Sequence, residues 1–222
     1  NIDTPRMPER WREFLMPRAL VQDLPDALIQ KIACLPDELS LNFRDAPPLR
    51  VVHARPGSPW EGFYSTDTDI EVRQKLGDVT EKTVIAGHTH LRFDREVDGV
   101  RVLNPGAVGL MFDRNADASY LLLNGDESGW RPTFRRVPYD QSALMSGYEM
   151  MGYNHRMPEE IYLMKQDFVT AFPNVYAFHV WKSQTHPDQP RTMTMLEDYM
   201  AIADKDPFVK PAYRLEYLET FD

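Results

Sequence analysis

The apolar positions of the chain change period several times before residue 140. A one-sided stripe at helical spacing begins after Pro25-Asp26 and ends at Pro36, and it comprises Leu28, Ile29, Ile32 and Leu35. Strand-like patterns follow, with apolar residues alternating at 39, 41 and 43 and a short apolar run at 49–53. Because the two spacings distinguish helices from strands, this order predicts an α/β fold.

Turn and capping signals mark the ends of further elements. Thr68 and Glu71 have the spacing of a capping box, which predicts a short helix that ends at Gly77. Asp98-Gly99 separates two strand-like segments and predicts a tight hairpin. A second antiparallel pair is expected between 118–124 and 130–137.

Residues 141–222 differ in composition from the rest of the chain. They contain 8 of the 11 methionines but only 2 of the 11 glycines, so bulky apolar faces become more common and turns become rarer. Apolar residues fall at helical spacing at 161, 164, 168 and 172, and again at 196, 199 and 203. We therefore predict a domain over 1–140 and a mainly helical extension over 141–222. The extension packs on the domain, or it serves as a lid or a dimer contact.

Composition limits the partners of the protein. The 222 residues, 42% of them hydrophobic, can bury a substantial core. The net charge of -9 argues against non-specific nucleic-acid binding, which needs a basic surface, but it allows a small phosphorylated substrate beside a metal. No apolar stretch has the length of a membrane span. We expect a cytoplasmic protein in which the single cysteine, Cys34, is a buried thiol.

Three histidines follow strand-like runs. Gly87-His88-Thr89-His90 comes directly after the run 83–86, and His53 comes directly after the run 49–52. In an extended backbone the side chains of residues i and i+2 point to the same side, so His88 and His90 are expected to converge. Ligands gather at the carboxyl edge of a sheet, so the pattern predicts a metal site there. The alternative is a set of surface or hydrogen-bonded histidines.

The other three histidines lie in the extension. His179 falls within an apolar run and is expected to be a strand histidine or a buried helix histidine with a hydrogen-bond partner. His155 and His186 lie among polar residues, which predicts exposed loops. No metal-ligand spacing involves these three.

The order of three sequence blocks adds to this picture. Val52-His53-Ala54-Arg55-Pro56 comes first, then the block at 87–90, and then Asn104-Pro105-Gly106-Ala107-Val108-Gly109. In that order the chain resembles the calcineurin-like metallophosphoesterases, specifically their small bacterial and archaeal phosphodiesterase branch, over about residues 1–140. The resemblance implies two packed sheets flanked by helices, with the N-terminal part of that sandwich missing.

Residues 1–3 indicate which part of the fold precedes them in the family. Asn1-Ile2-Asp3 is similar to the family block G-N-H-D, with isoleucine in place of its histidine. The resemblance therefore implies a piece of a longer polypeptide whose earlier portion would carry the family's D-x-H and G-D ligands. It also implies that Ile2 occupies the position that normally assists the leaving group, so hydrolysis of esters with poor leaving groups is in doubt.

The resemblance assigns ligands to two divalent transition-metal ions, Mn, Fe, Ni, Co or Zn. Asn1, His53 and His88 would bind one ion, and His90 would bind the other together with the absent D-x-H. The turn that starts at Asn104 would support the site rather than ligate. Three aspartates, Asp67, Asp69 and Asp94, are expected to be loop or cap residues by their positions. If the site is complete, the carboxylate that bridges the ions is therefore expected from the missing portion.

These implications favour one function over two alternatives. The first is a metal-dependent phosphoesterase that attacks a small phosphorylated substrate with a metal-bridging hydroxide, phosphodiesters being favoured over monoesters. The second is an inactive scaffold or binding protein of the same fold, as the retromer subunit is. The third is a fragment with a mononuclear three-histidine site. The expected partners exclude a membrane and include a further copy of the chain as one alternative.

Overall fold

The computed structural model describes residues 15–218, and it confirms the α/β class. Helices α1 (Leu15–Asp23) and α2 (Asp26–Ala33) come before strands β1 (Glu38–Leu41) and β2 (Leu49–Val52). The middle of the chain forms α3 (Asp69–Leu76), β3 (Thr83–Ile85), β4 (Arg92–Val97), β5 (Val100–Pro105), β6 (Ala118–Asp126) and β7 (Gly129–Val137).

The described part of the extension is helical, as predicted. It comprises α4 (Ser142–Met150), α5 (Tyr153–Arg156), α6 (Pro158–Thr170), α7 (Asn174–Thr185) and α8 (Met193–Met200), followed by three 3-10 turns at Asp206–Phe208, Pro211–Tyr213 and Leu215–Tyr217. The helical spacing at 161–172 corresponds to α6, and the spacing at 196–203 corresponds to α8. In both cases the last apolar residue lies beyond the end of the helix.

The strands form two sheets. Five of them have the order β1-β2-β3-β5-β4, in which β2, β3 and β5 are parallel and the outer strands β1 and β4 are antiparallel to their neighbours. The second sheet is the hairpin of β6 and β7. Since β2 and β3 run in the same direction side by side, the residues that follow them emerge at the same edge of the sheet.

The predicted local signals have their expected geometry. Thr68 accepts a hydrogen bond from the backbone of Glu71, and the Glu71 carboxylate accepts one from the backbone of Thr68, so the capping box is complete. Gly77 follows α3 with a φ of 57°. Asp98 and Gly99 both have positive φ values, 51° and 76°, as a tight hairpin turn between twisted strands requires.

Three buried apolar clusters hold the elements together. One lies between the five-stranded sheet and α3, and a second joins α1 to α4, α5 and α6. The third is the core of the extension, formed mainly by α6, α7, α8 and the 3-10 turns, and it includes Leu91. Because Leu91 directly follows His90, the extension packs against the segment that carries the histidine pair.

The sequence pattern suggested that the apolar stripe on α2 is buried, but in the structure it is not. The helix has no buried residue among those described, and Ile32 and Leu35 are exposed. The prediction that Cys34 is a buried thiol is wrong, because this residue is exposed. Cys34 directly follows α2, and within residues 15–218 no element covers the apolar face of that helix. No helix among these residues is long and apolar enough to cross a membrane.

Candidate functional site

His53 and His88 lie together at the carboxyl edge of the five-stranded sheet. His53 directly follows β2, and His88 lies three residues after β3. Their rings meet edge to face with centroids 5.1 Å apart, and the Nδ1 of His88 is 3.2 Å from the Nε2 of His53. The predicted convergence of strand-end histidines therefore holds for this pair.

The backbone that carries His88 and His90 is not an extended strand. Strand β3 ends at Ile85, and both histidines have left-handed backbone conformations, with φ values of 69° and 57°. The expectation that the two side chains converge by alternation is therefore wrong. Non-glycine residues in this conformation are uncommon and need support from their surroundings.

Asn104 supplies much of that support. It is fully buried, and its side-chain amide donates hydrogen bonds to Gly87 O at 2.9 Å and to Thr89 Oγ1 at 3.0 Å. Its Oδ1 accepts a hydrogen bond from Gly106 N at 2.9 Å. Asn104 thus connects the end of β5 to the loop that carries both histidines, and its position agrees with the supporting role that the resemblance implied.

Two glycines permit the close approach of the loop to its neighbours. Gly87 N donates a hydrogen bond to His53 O, and a β-carbon at position 87 would lie 3.2 Å from that oxygen. A β-carbon at Gly62 would lie 2.5 Å from the Cγ2 of Thr89, which is fully buried. Any larger residue at position 62 would therefore displace the histidine loop.

His90 is oriented by a second set of contacts. Its Nδ1 lies 2.7 Å from Leu110 O, and its ring stacks on Phe112 with centroids 5.0 Å apart. A carbonyl oxygen only accepts hydrogen bonds, so Nδ1 carries the proton and Nε2 keeps its lone pair. Metal-binding histidines commonly make this contact to a carbonyl through their second nitrogen.

The surroundings of His88 and His90 favour the neutral form of both imidazoles. Burial lowers the pKa of His88, and the charges of His53, His90 and Lys210 lower it further. Burial also lowers the pKa of His90, against the raising effect of its hydrogen bond to Leu110. Neutral imidazoles have the free lone pair that ligation of a metal requires.

The arrangement fits part of a metal centre. With metal–nitrogen bonds of about 2.0–2.1 Å, two imidazole nitrogens on one ion lie roughly 3–3.4 Å apart, and His53 and His88 have this separation. Within residues 15–218, however, no three histidine, cysteine, aspartate or glutamate side chains are grouped to hold an ion. Asn1, the ligand expected beside the pair, and Ile2 lie outside the described residues.

The nearby carboxylates are engaged elsewhere. Asp67 pairs with Lys75 at 2.6 Å and accepts a hydrogen bond from Tyr64 N. Asp94 forms a two-point ion pair with Arg101, at 2.7 and 2.6 Å. Asp69 is the first residue of α3. The assignment as loop or cap residues holds for Asp67 and Asp69, but it is wrong for Asp94, which lies in strand β4 and pairs with Leu103 of β5.

A cleft of about 810 Å³ opens beside His88. Most of the residues that line it were not predicted from the sequence as site residues. Its walls come from the domain and from the extension, which contributes Met164, Tyr176, His179, Lys182, Lys210 and Tyr213. His179 lies on helix α7, one of the two expected alternatives, but it is half-buried rather than buried. His155 is exposed, as expected, but it lies on the short helix α5 instead of a loop, and His186 directly follows α7 and is half-buried rather than exposed. The helical spacing at 176, 179 and 183 was the one sequence signal that these side chains share a face.

Comparison with known proteins agrees with the fold. Residues 15–128, half of the chain, match the model of the calcineurin-like phosphoesterase superfamily domain. A metallophosphoesterase from Sphaerobacter thermophilus is similar with a TM-score of 0.53 and 22% identity, over 68% of this chain and 64% of that one. A hypothetical protein from Pyrococcus horikoshii has a TM-score of 0.49 and 16% identity, over 60% of this chain and 59% of its own. The chain thus spans less than two thirds of either structure. No curated protein matches it.

Proposed function

The chain belongs to the calcineurin-like phosphoesterase superfamily, and on that basis we propose that it takes part in metal-dependent hydrolysis of phosphoesters, with phosphodiesters preferred over monoesters. The observation that carries the proposal is the contact between His53 and His88 at the carboxyl edge of the sheet. A cleft of a size suited to small molecules opens beside His88. The family match ends before the extension, which we assign to residues 141–222 as a lid on the domain at 1–140.

In this proposal each histidine has a defined task. His53 and His88 would hold one divalent ion through the two nitrogens that face each other, together with Asn1. His90 would hold a second ion through Nε2, since its Nδ1 is directed at Leu110 O. These residues are not enough for two ions, so the centre needs further donors, a bridging carboxylate among them.

The ions, when bound, supply the positive charge that an anionic ester requires and ionise a water molecule near neutral pH. Imidazole ligands suit Mn, Fe, Ni, Co and Zn. The residues of this chain contribute by fixing ligand directions before any ion binds, because Asn104, Gly87 and Leu110 hold the rings in place. Lys210, whose charge reaches His88, adds to the positive potential at the same end of the cleft.

The proposal predicts that Mn²⁺ enables the protein to hydrolyse bis(p-nitrophenyl) phosphate. His88→Ala should abolish the reaction, because it removes a ligand whose partner His53 cannot hold the ion alone. His186→Ala is the matched control, since His186 follows α7 and hydrogen-bonds to Thr185. No hydrolysis by the wild-type protein under any divalent metal would instead favour the inactive scaffold of the same fold.

A further inference from the structure

The cleft beside His88 is built largely by residues outside the family match. The matched region ends at residue 128, whereas α6, α7 and the 3-10 turn at Pro211–Tyr213 supply one side of the cleft. The opposite side comes from Tyr64, Leu110 and Phe112 of the domain. At about 810 Å³ the cleft is far larger than a phosphate group needs, and its size is typical of sites for whole organic ligands.

One wall of the cleft is a continuous run of aromatic rings that starts at the histidines. His90 stacks on Phe112, Phe112 meets Tyr213 edge to face at 5.7 Å, and Tyr213 meets Tyr64 in the same way at 5.9 Å. Tyr176, from α7, lies close enough to Tyr213 to raise the pKa of its hydroxyl, which burial raises most. Aromatic walls of this kind bind planar rings by edge and face contacts.

Lys210 connects this wall to the histidine end. Its Nζ donates a hydrogen bond to the Tyr64 hydroxyl at 3.2 Å and lies 4.9 Å from the centre of the Tyr64 ring. Its positive charge also lowers the pKa of His88. Lys210 is exposed and borders the cleft, so its ammonium group can contact an anion that lies at the histidines.

The acidic residues of the cleft do not cancel this charge. Glu160 is buried and pairs with Arg191 at 2.8 Å. Burial raises the pKa of Asp167 to about 8, so this carboxyl is mostly protonated at neutral pH. On α7, His179 and Lys182 also line the cleft. The cleft therefore combines cationic side chains, an aromatic wall and an apolar lining that includes Leu110, Met164 and Val175.

We propose that this cleft selects phosphoesters that carry a planar aromatic group, with Lys210 on a phosphate oxygen and the ring between Tyr176 and the wall of Phe112, Tyr213 and Tyr64. The proposal rests on the proposed function, because it places the phosphate at the histidines. It names the substrate class and assigns the extension a role in choosing substrates. Lys210 and Tyr176 are the residues that determine this specificity.

The test uses two phosphonates that cannot be hydrolysed, phenylphosphonate and methylphosphonate, and measures their binding to the Mn²⁺-loaded protein by calorimetry. The two ligands share the anion and differ in the ring. We expect phenylphosphonate to bind about tenfold more tightly, from burial of the ring. Tyr176→Ala should remove most of this preference and leave methylphosphonate unaffected. Tyr120→Ala, at a similarly exposed tyrosine on β6, is the matched control and should change nothing.

Variants of lysine residues separate the contribution of the anion to binding from the contribution of the ring. Lys210→Ala should weaken both phosphonates equally, by about tenfold, because it removes a charge-assisted contact to the group they share. Lys82→Ala, at an exposed lysine away from the cleft, should weaken neither. Equal affinity of the wild-type protein for the two phosphonates, or a preference that survives Tyr176→Ala, would overturn the proposal. If bis(p-nitrophenyl) phosphate is still hydrolysed in that case, only the assignment of the cleft fails; if neither phosphonate binds and no ester is hydrolysed, the proposed function fails with it.

Discussion

Replacement of Asn104 by alanine should both destabilise the protein and loosen the histidine loop. The substitution removes two hydrogen bonds donated to the loop, at Gly87 O and Thr89 Oγ1, and one accepted from Gly106 N. Gly87 O keeps the hydrogen bond from Thr89 N, and Thr89 Oγ1 keeps a long one from Leu91 N. Gly106 N is left without this partner.

The magnitude follows from these three contacts. Two hydrogen bonds whose partners are otherwise satisfied contribute roughly 0.5–1 kcal/mol each, and a backbone N–H that loses its partner costs about 1–3 kcal/mol. We therefore expect Asn104→Ala to lower the free energy of unfolding by about 3 kcal/mol. A domain with an ordinary stability of about 5–15 kcal/mol would remain folded.

Urea unfolding followed by circular dichroism measures this loss, and a Mn²⁺ titration measures the effect on the loop. Without the tie to Asn104, His88 and His90 can leave their left-handed conformations, so affinity for Mn²⁺ should fall by about tenfold or more. Asn174→Ala is the matched control, because Asn174 is also buried and donates to Thr170 Oγ1 and Phe172 O within the extension. It should destabilise the protein but leave the Mn²⁺ affinity unchanged. A change below about 0.5 kcal/mol in Asn104→Ala, or equal loss of Mn²⁺ affinity in both variants, would refute the reasoning.

Three further predictions concern other parts of the chain. Burial raises the pKa of Asp167 to about 8, so the folded protein keeps a proton that the unfolded chain loses near pH 4. The free energy of unfolding should therefore fall by about 1.4 kcal/mol per pH unit as the pH rises from about 4 to about 8. Asp167→Asn should remove this slope in urea titrations at several pH values. Arg114→Met removes the ion pair to Asp206, the hydrogen bond to Tyr213 O and the contact with the Phe172 ring, so limited proteolysis should cut the extension faster than in the wild-type protein. Because Ile2 cannot donate a proton to the leaving group, an aryl phosphodiester should be hydrolysed far faster than an alkyl one. Ile2→His should accelerate hydrolysis of the alkyl ester by roughly 10²–10⁴-fold and should change the rate for the aryl ester little. Equal aryl and alkyl rates in the unmodified protein would mean that another group donates the proton.

The sequence predicted those parts of the fold that have local causes. The capping box at Thr68, the hairpin turn at Asp98-Gly99 and the helix predicted from the spacing at 161–172 all formed, because their residues determine the backbone within a few positions. The pairing of β3 with β2 and β5 is not local, and only the order of elements indicated it.

The histidines of the site could be predicted from the sequence, but the backbone conformation that carries them and most of the cleft lining could not. Strand-end placement predicted that His53 and His88 would meet, and they do. The left-handed conformations of His88 and His90 had no signal, because a histidine pair with one residue between reads as extended. Lys210 and Tyr213 had none either, since they reach the cleft through a packing contact that spans more than a hundred residues of sequence.

The exposure of Cys34 shows that helical spacing can predict a helix correctly and the burial of its residues wrongly. Helical spacing correctly predicted α2, but an apolar stripe states only that a face can be covered, and within residues 15–218 no element covers it. Burial depends on a second surface, which periodicity does not specify.

Joint binding of one divalent ion by His53 and His88 can be measured in a Co²⁺ titration followed by visible absorption. The wild-type protein should show the d–d bands of nitrogen-ligated cobalt, and both His53→Ala and His88→Ala should bind Co²⁺ at least about 100-fold more weakly, because each removes one of the paired ligands. His155→Ala, at an exposed histidine of α5, should bind Co²⁺ as the wild-type protein does. An affinity that is unchanged in His53→Ala and His88→Ala, or that falls equally in His155→Ala, would show that the two histidines do not share an ion.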